Sequence, residues 1–134
     1  MDMAKTLNEI ARNSRRYADY IFDHVNRERW RDICTGRIHI DVTEGVRLDK
    51  ALDEIPLHAL PHDLVGETMI LRSNFRQLSE ALIAIMNIAG SSGIDIPFPN
   101  IRMQIIDEQR DSLIICENKL NQLISGLLAS RELP

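Results

Sequence analysis

The chain has 134 residues, 44% hydrophobic and 27% charged, with sparse glycine (6) and proline (5); that suits a single domain spanning 1–134 around one core and argues against wholesale disorder. Aromatics, at 4%, are few for a module that stacks bases or a pocket that grips sugars. A formal net charge of −4 argues against a broadly cationic, polyanion-binding surface, and only residues 1–33, with seven Lys/Arg against six Asp/Glu, tilt basic.

The first element predicted is a helix over about 4–33. Leu7, Ile10, Ala11, Tyr17, Ala18, Ile21, Phe22 and Val25 recur at three- and four-residue steps, which places them on one broad face. Trp30 and Ile33 continue that face past a small break near Asn26. The next stretch, RIHIDVT at 37–43, alternates like a strand. A strand needs a partner, and the nearest match, IDIPF at 94–98, is limited to a sheet edge by Pro97; an extended loop is therefore the preferred reading. A short helix over 45–55 follows, with Thr43 or Glu44 leading in and Val46, Leu48, Ala51, Leu52 and Ile55 as its apolar side. Pro56 ends it, because the residue before a proline is pushed out of helical geometry.

The most regular element is a helix over 64–89. Leu71, Phe75, Leu78, Leu82, Ile85 and Ala89 step by four and three, and Val65, Met69, Met86 and Ile88 widen the stripe. Asp63 is the expected cap. The joint 87–100 contains Gly90, suited to a left-handed cap, then Pro97 and Pro99, with Asn100 placed to cap the last helix. That helix is predicted over 101–128: Ile106, Leu113, Leu120 and Leu127 recur every seven residues, Gln109, Cys116 and Leu123 complete the heptad, and Ile105, Ile115 and Ile124 flank it. Together these predict an all-α, small up-and-down helical bundle with three long helices and one short helix. Dimerisation is the alternative way of completing its core.

Chemistry-bearing residues are few. His58 and His62 stand four apart in IPLHALPHDL, near Glu67. A metal site on these three, with missing ligands from His39 or Glu54, is the metal-binding alternative; Pro61 between the histidines favours a turn followed by a helix start. His24 resembles a phosphotransfer histidine only in having Arg27 and Arg29 nearby. Cys116 occupies a core slot and Cys34 a more open joint. No nucleophile–base order, phosphate loop or paired-carboxylate spacing occurs, so no enzyme and no cofactor are expected.

The remaining reading is a helical protein–protein interaction module: an adaptor, chaperone-like binder or regulator of another protein, expected as a homodimer. Arg12, Arg16, Tyr17, Tyr20 and Trp30, aromatics beside arginines in one element, are the candidate partner-binding residues. A nucleic-acid-binding regulator using the Arg-rich first helix is the other alternative. The N-terminal residues lack an apolar signal core and no segment approaches eighteen apolar residues, so a cytoplasmic location away from membranes is expected.

Overall fold

Asn26 splits the first apolar run in two. In the computed structural model, which describes residues 3–91 and 95–132, α1 spans Met3–His24 and α2 spans Arg27–Cys34. Asn26 takes an extended backbone (φ −141°, ψ 172°), and its side-chain oxygen accepts from the Arg29 N–H at 2.9 Å. An asparagine that caps the next helix cannot also continue the previous one. Three further helices follow: α3 (Thr43–Asp53), α4 (His62–Gly90) and α5 (Asn100–Glu132), with one 3₁₀ turn at Leu57–Ala59. The described residues form an all-α bundle, but with five helices rather than the three long and one short predicted.

Cross-helix contacts fix the directions. Arg15 Nε donates to Glu117 at 2.7 Å and Arg110 Nε donates to Asp19 at 2.8 Å, so α1 and α5 are antiparallel. Cys116 lies against Glu67, and Gln109 Nε2 donates to Gln77 Oε1 at 2.9 Å, so α4 and α5 are antiparallel too. Hence α1 and α4 run in the same direction, and the strict up-and-down order does not hold. The stretch through α2, the loop and α3 carries the chain back to the starting end, and α3 packs on both α1 and α4.

The core is built as periodicity predicts along α4 and the middle of α5. Leu71, Phe75, Leu78, Leu82 and Ile85 are buried against Ile106, Leu113, Cys116 and Leu120. Buried Leu7, Ala11, Ala18 and Ile21 complete it from α1, with Leu48 and Leu52 from α3. Ser14 and Thr68, buried but polar, donate to their own helix at the Ile10 and Leu64 carbonyls, 2.7 and 2.6 Å away, which removes the cost of an unpaired hydroxyl. Three residues assigned to apolar stripes instead face out: Val46 is 58% exposed, Met69 54% and Ile115 60%. In α3 the inward position is taken by Gly45, which lies under the Tyr17 ring.

The element ends differ from the sequence reading in four places. Asp63 does not cap α4; Pro61 precedes the helix without a side-chain cap, and Asp63 contributes its charge inside the first turn. Gly90 stays helical, and the glycine with positive φ (+78°) among the described residues is Gly36, after α2. Asn100 is the first residue of α5, and its side-chain oxygen accepts from Arg27. For α3 the capping oxygen belongs to Asp41, whose Oδ1 accepts from the Thr43 and Glu44 N–H groups at 3.0 and 3.4 Å. At its other end Arg72 donates twice to the Leu52 carbonyl, at 3.0 and 2.7 Å, covering carbonyls the helix leaves open. The segment 37–42 is loop rather than strand, but not extended throughout: it bends at Arg37 and Ile38, and Val42 takes a helical backbone (φ −90°, ψ −17°); Ile94 of the possible pairing segment lies outside the described residues, and no strand occurs among those described.

Candidate functional site

The break at Asn26 opens a broad recess. One wall is the end of α1 and the start of α2; the other is the non-helical segment 96–99 and the first turns of α5. Prolines 97 and 99 keep that segment out of helix, and Trp30 pins it: its indole Nε1 donates to the Ile96 carbonyl at 2.9 Å. The Trp30 ring also meets Phe98 edge-on at 5.7 Å between centroids. Phe98 in turn carries the Arg27 guanidinium over its face at 5.1 Å, while Arg27 donates to Asn100. On the opposite wall Arg110 lies 4.3 Å from the Phe22 ring centre.

The result is a groove of about 810 Å³. Phe22, Val25, Phe98 and Met103 supply its apolar lining, and Asp23, Glu28, Asp107 and Arg27 its charges, three carboxylates against one guanidinium. Asp19, Arg15 and Arg110 brace the wall behind Phe22. Burial pushes the Asp19 carboxyl up, but hydrogen bonds from Arg110 and Arg15 outweigh it and hold the group below the usual carboxylate range.

A second, smaller cleft of about 340 Å³ gathers Asn13, Arg16, Tyr17, Tyr20, Asp41 and Glu44. Both tyrosines clasp the Asp41 backbone: Tyr17 donates to its carbonyl at 2.6 Å, and its N–H donates to the Tyr20 hydroxyl at 3.0 Å. Burial, reinforced by the nearby Asp41 carboxylate, raises the Tyr17 hydroxyl well above the ordinary tyrosine value. Three of the five predicted contact residues, Arg16, Tyr17 and Tyr20, therefore meet in one place. Arg12 is exposed but lines neither recess, and Trp30 sits beneath the larger one. Tyr17 and Trp30 are 4% and 5% exposed, so both belong to the core and support the recesses from behind.

The other candidate groups are dispersed or already engaged. His58 and His62 are exposed, on the 3₁₀ turn and at the first residue of α4, while the Glu67 carboxylate faces Cys116 at 3.6 Å and Lys119 at 3.5 Å. No group of three or more potential metal ligands forms among the described residues. His24 Nδ1–H donates to the Tyr20 carbonyl at 2.8 Å, and Arg27, its expected neighbour, is turned to Asn100 and Phe98. Of the first-helix arginines, Arg15 is committed to Asp19 and Glu117. No helix among the described residues is long and apolar enough to cross a membrane.

The thiols differ in access. Cys116 is buried, its Sγ donates to the Glu67 carbonyl at 3.4 Å, and burial together with the Glu67 charge pushes its pKa up to about 12. Cys34 is half-buried and raised by burial alone. Alkylation at neutral pH is expected to label Cys34 first and to reach Cys116 only when the bundle opens globally. Peptide mass analysis across a urea series checks this; equal labelling rates in native buffer would contradict it.

Sequence reasoning missed the groove because Phe22, Phe98 and Met103 come from three separate stretches. The one available hint was Phe98 held between two prolines, Pro97 and Pro99, in the joint before the last helix. No protein family, curated protein or solved structure matches the chain.

Proposed function

We propose that this chain is a helical protein–protein interaction module, self-associating as a homodimer, that seats a segment of another protein in the groove at the α1–α2 break. The observation that carries this reading is the groove's lining. Phe22, Phe98 and Met103 are only partly covered in an open recess of about 810 Å³ whose charged residues are three acids to one base. Aromatics and methionine offer contact area to irregular apolar surfaces, and the acidic surplus favours a segment with basic flanks. An amphipathic helix carrying leucine on one side and lysine on the other meets both requirements. Adaptor, chaperone-like binder and regulator are all roles that such a groove serves.

The test uses a synthetic leucine–lysine amphipathic peptide and amide chemical shifts. Titration is expected to move the signals around Phe22, Phe98 and Met103. Met103→Glu places a charge in the apolar lining and is expected to weaken binding at least roughly tenfold, since about 1.5–3 kcal/mol of side-chain burial is at stake. Ile83→Glu, at a 46% exposed site on α4 outside the groove, is expected to leave binding unchanged. Equal losses in the two variants, or shifts confined to other surfaces, would remove the groove from consideration.

A further inference from the structure

α5 carries a second stripe besides the one it buries. From Ile101 to Gly126 the positions 101, 105, 108, 112, 115, 119, 122 and 126 step by four and three, which keeps them on one side of a helix about 38 Å long. This side lies toward solvent: Ile101 is 77% exposed and Ile115 60%, while Ile105 and Ser112 are half-buried and Glu108, Lys119, Gln122 and Gly126 are exposed. A methyl added at Gly126 would meet nothing within 4 Å. Ile70 of α4, one turn beyond the Glu67 that faces Cys116 and Lys119, is 48% exposed as well.

The order of residues along this stripe reverses onto itself. Turned end for end about its midpoint between 113 and 114, Ile101 falls opposite Gly126, Ile105 opposite Gln122, Glu108 opposite Lys119 and Ser112 opposite Ile115. Both highly exposed isoleucines then face small residues, and the acid faces the base. A two-fold interface requires residue i to meet j while j meets i; only a second copy of this chain supplies the same stripe in reverse. We infer that the outer stripe of α5 is an antiparallel, two-fold interface with a second copy of this chain, with Glu108 of each copy against Lys119 of the other. Within one chain Glu108 accepts a hydrogen bond from Gln104 at 3.3 Å and Lys119 lies 3.5 Å from Glu67; the Lys119 side chain remains 61% exposed. This inference rests on the self-association proposed above and is independent of the groove.

Sedimentation equilibrium of the full chain over a wide concentration range, with native mass spectrometry, tests it. The wild type is expected to dimerise. Glu108→Lys and Lys119→Glu are each expected to weaken the dimer about tenfold, because symmetry counts every contact twice. Mixing the two variants is expected to restore a heterodimer in which both charge pairs are opposite again. Ile115→Glu is expected to weaken association on the order of a hundredfold, two isoleucines losing burial per dimer, with helix content unchanged and the melting temperature unchanged at concentrations where both proteins are monomeric. A wild type that stays monomeric at every concentration overturns both the self-association and its interface. A dimer indifferent to Ile115→Glu, whose charge variants fail to re-pair on mixing, overturns the α5 stripe alone. The peptide titration of the groove reads out separately from either result.

Discussion

Trp30→Ala is expected to destabilise the fold by about 3–5 kcal/mol, the range for truncating a large buried aromatic. Domains of this size are stable by only about 5–15 kcal/mol, so the variant stands close to unfolding at physiological temperature. The indole is 5% exposed, donates to the Ile96 carbonyl at 2.9 Å and meets the edge of Phe98. Its loss leaves a cavity under α2 and frees the segment that forms one wall of the groove. Partner binding then falls as a consequence, because Phe98 and Arg27 lose their backing. The sequence alone puts Trp30 among the candidate partner-binding residues, whereas its burial makes the fold the first thing it supports. Trp30→Phe keeps a ring but no N–H, and its cost is expected to fall between, with about 1 kcal/mol assignable to the hydrogen bond. Trp30 is the sole tryptophan, so urea unfolding must be followed by circular dichroism rather than intrinsic fluorescence. A stability change under about 1 kcal/mol combined with a large loss of peptide binding would return Trp30 to the surface role.

What could be read from the sequence divides along the range of the interactions. The core faces of α4 and α5 depend on spacing within one helix, and Leu71, Phe75, Leu78, Leu113 and Leu120 are buried as their periodicity requires. Stripe edges depend on where neighbouring helices stand. Met69 and Ile115 were assigned inward because they widen an apolar arc, yet α1 and α3 cover other sides of the pair and both remain exposed. Asn26 was recognised as a weak point, but its effect as a cap, splitting one predicted helix into two, depends on a competition between two local hydrogen-bonding patterns. The parallel course of α1 and α4 follows from the return path through α2 and α3, whose direction the periodicity within each helix does not set. The larger groove is the extreme case: Phe22 and Phe98 are 76 positions apart by number, and nothing local to either residue announces that they line one groove from opposite walls.

α5 links these levels, because its sides do different work. Ile106, Leu113, Cys116 and Leu120 enter the core; Arg110 and Glu117 tie it to α1; Met103 and Asp107 line the groove. The remaining side holds Ile101 and Ile115 in solvent. Surface isoleucines singly placed need no explanation. Two on one stripe, each set opposite a small residue by a reversal that also pairs Glu108 with Lys119, are the reason for assigning that side to a second copy. Groove and stripe occupy different sides of the helix, so partner capture and self-association do not compete for the same residues.

Gly45→Ala is expected to destabilise the protein by about 1–3 kcal/mol, as overpacking does, although alanine in a helix ordinarily gains close to 1 kcal/mol over glycine. A Cβ at Gly45 would stand 2.9 Å from Tyr17 Cε2 and from its hydroxyl oxygen, and 3.0 Å from Cζ. A free side chain would swing away at small cost. Tyr17 cannot, because it is 4% exposed, its hydroxyl donates to the Asp41 carbonyl at 2.6 Å and its ring packs 6.1 Å from that of Phe75. The new methyl therefore forces either Tyr17 off Asp41 or α3 off α1, and Asp41 is also the residue whose carboxylate starts α3. Gly66→Ala is the control: Gly66 lies in α4 with nothing within 4 Å of an added Cβ, and there the ordinary gain of about 0.5–1 kcal/mol is expected. Tyr17→Phe removes the hydroxyl that both meets the methyl and fastens the ring. Combined with Gly45→Ala it is expected to cost less than the two changes added, by at least about 0.5 kcal/mol of coupling. Thermal melts of the wild type and the four variants measure this. If Gly45→Ala stabilises as Gly66→Ala does, Tyr17 does not hold its place over α3, and the clasp that shapes the smaller cleft is wrong.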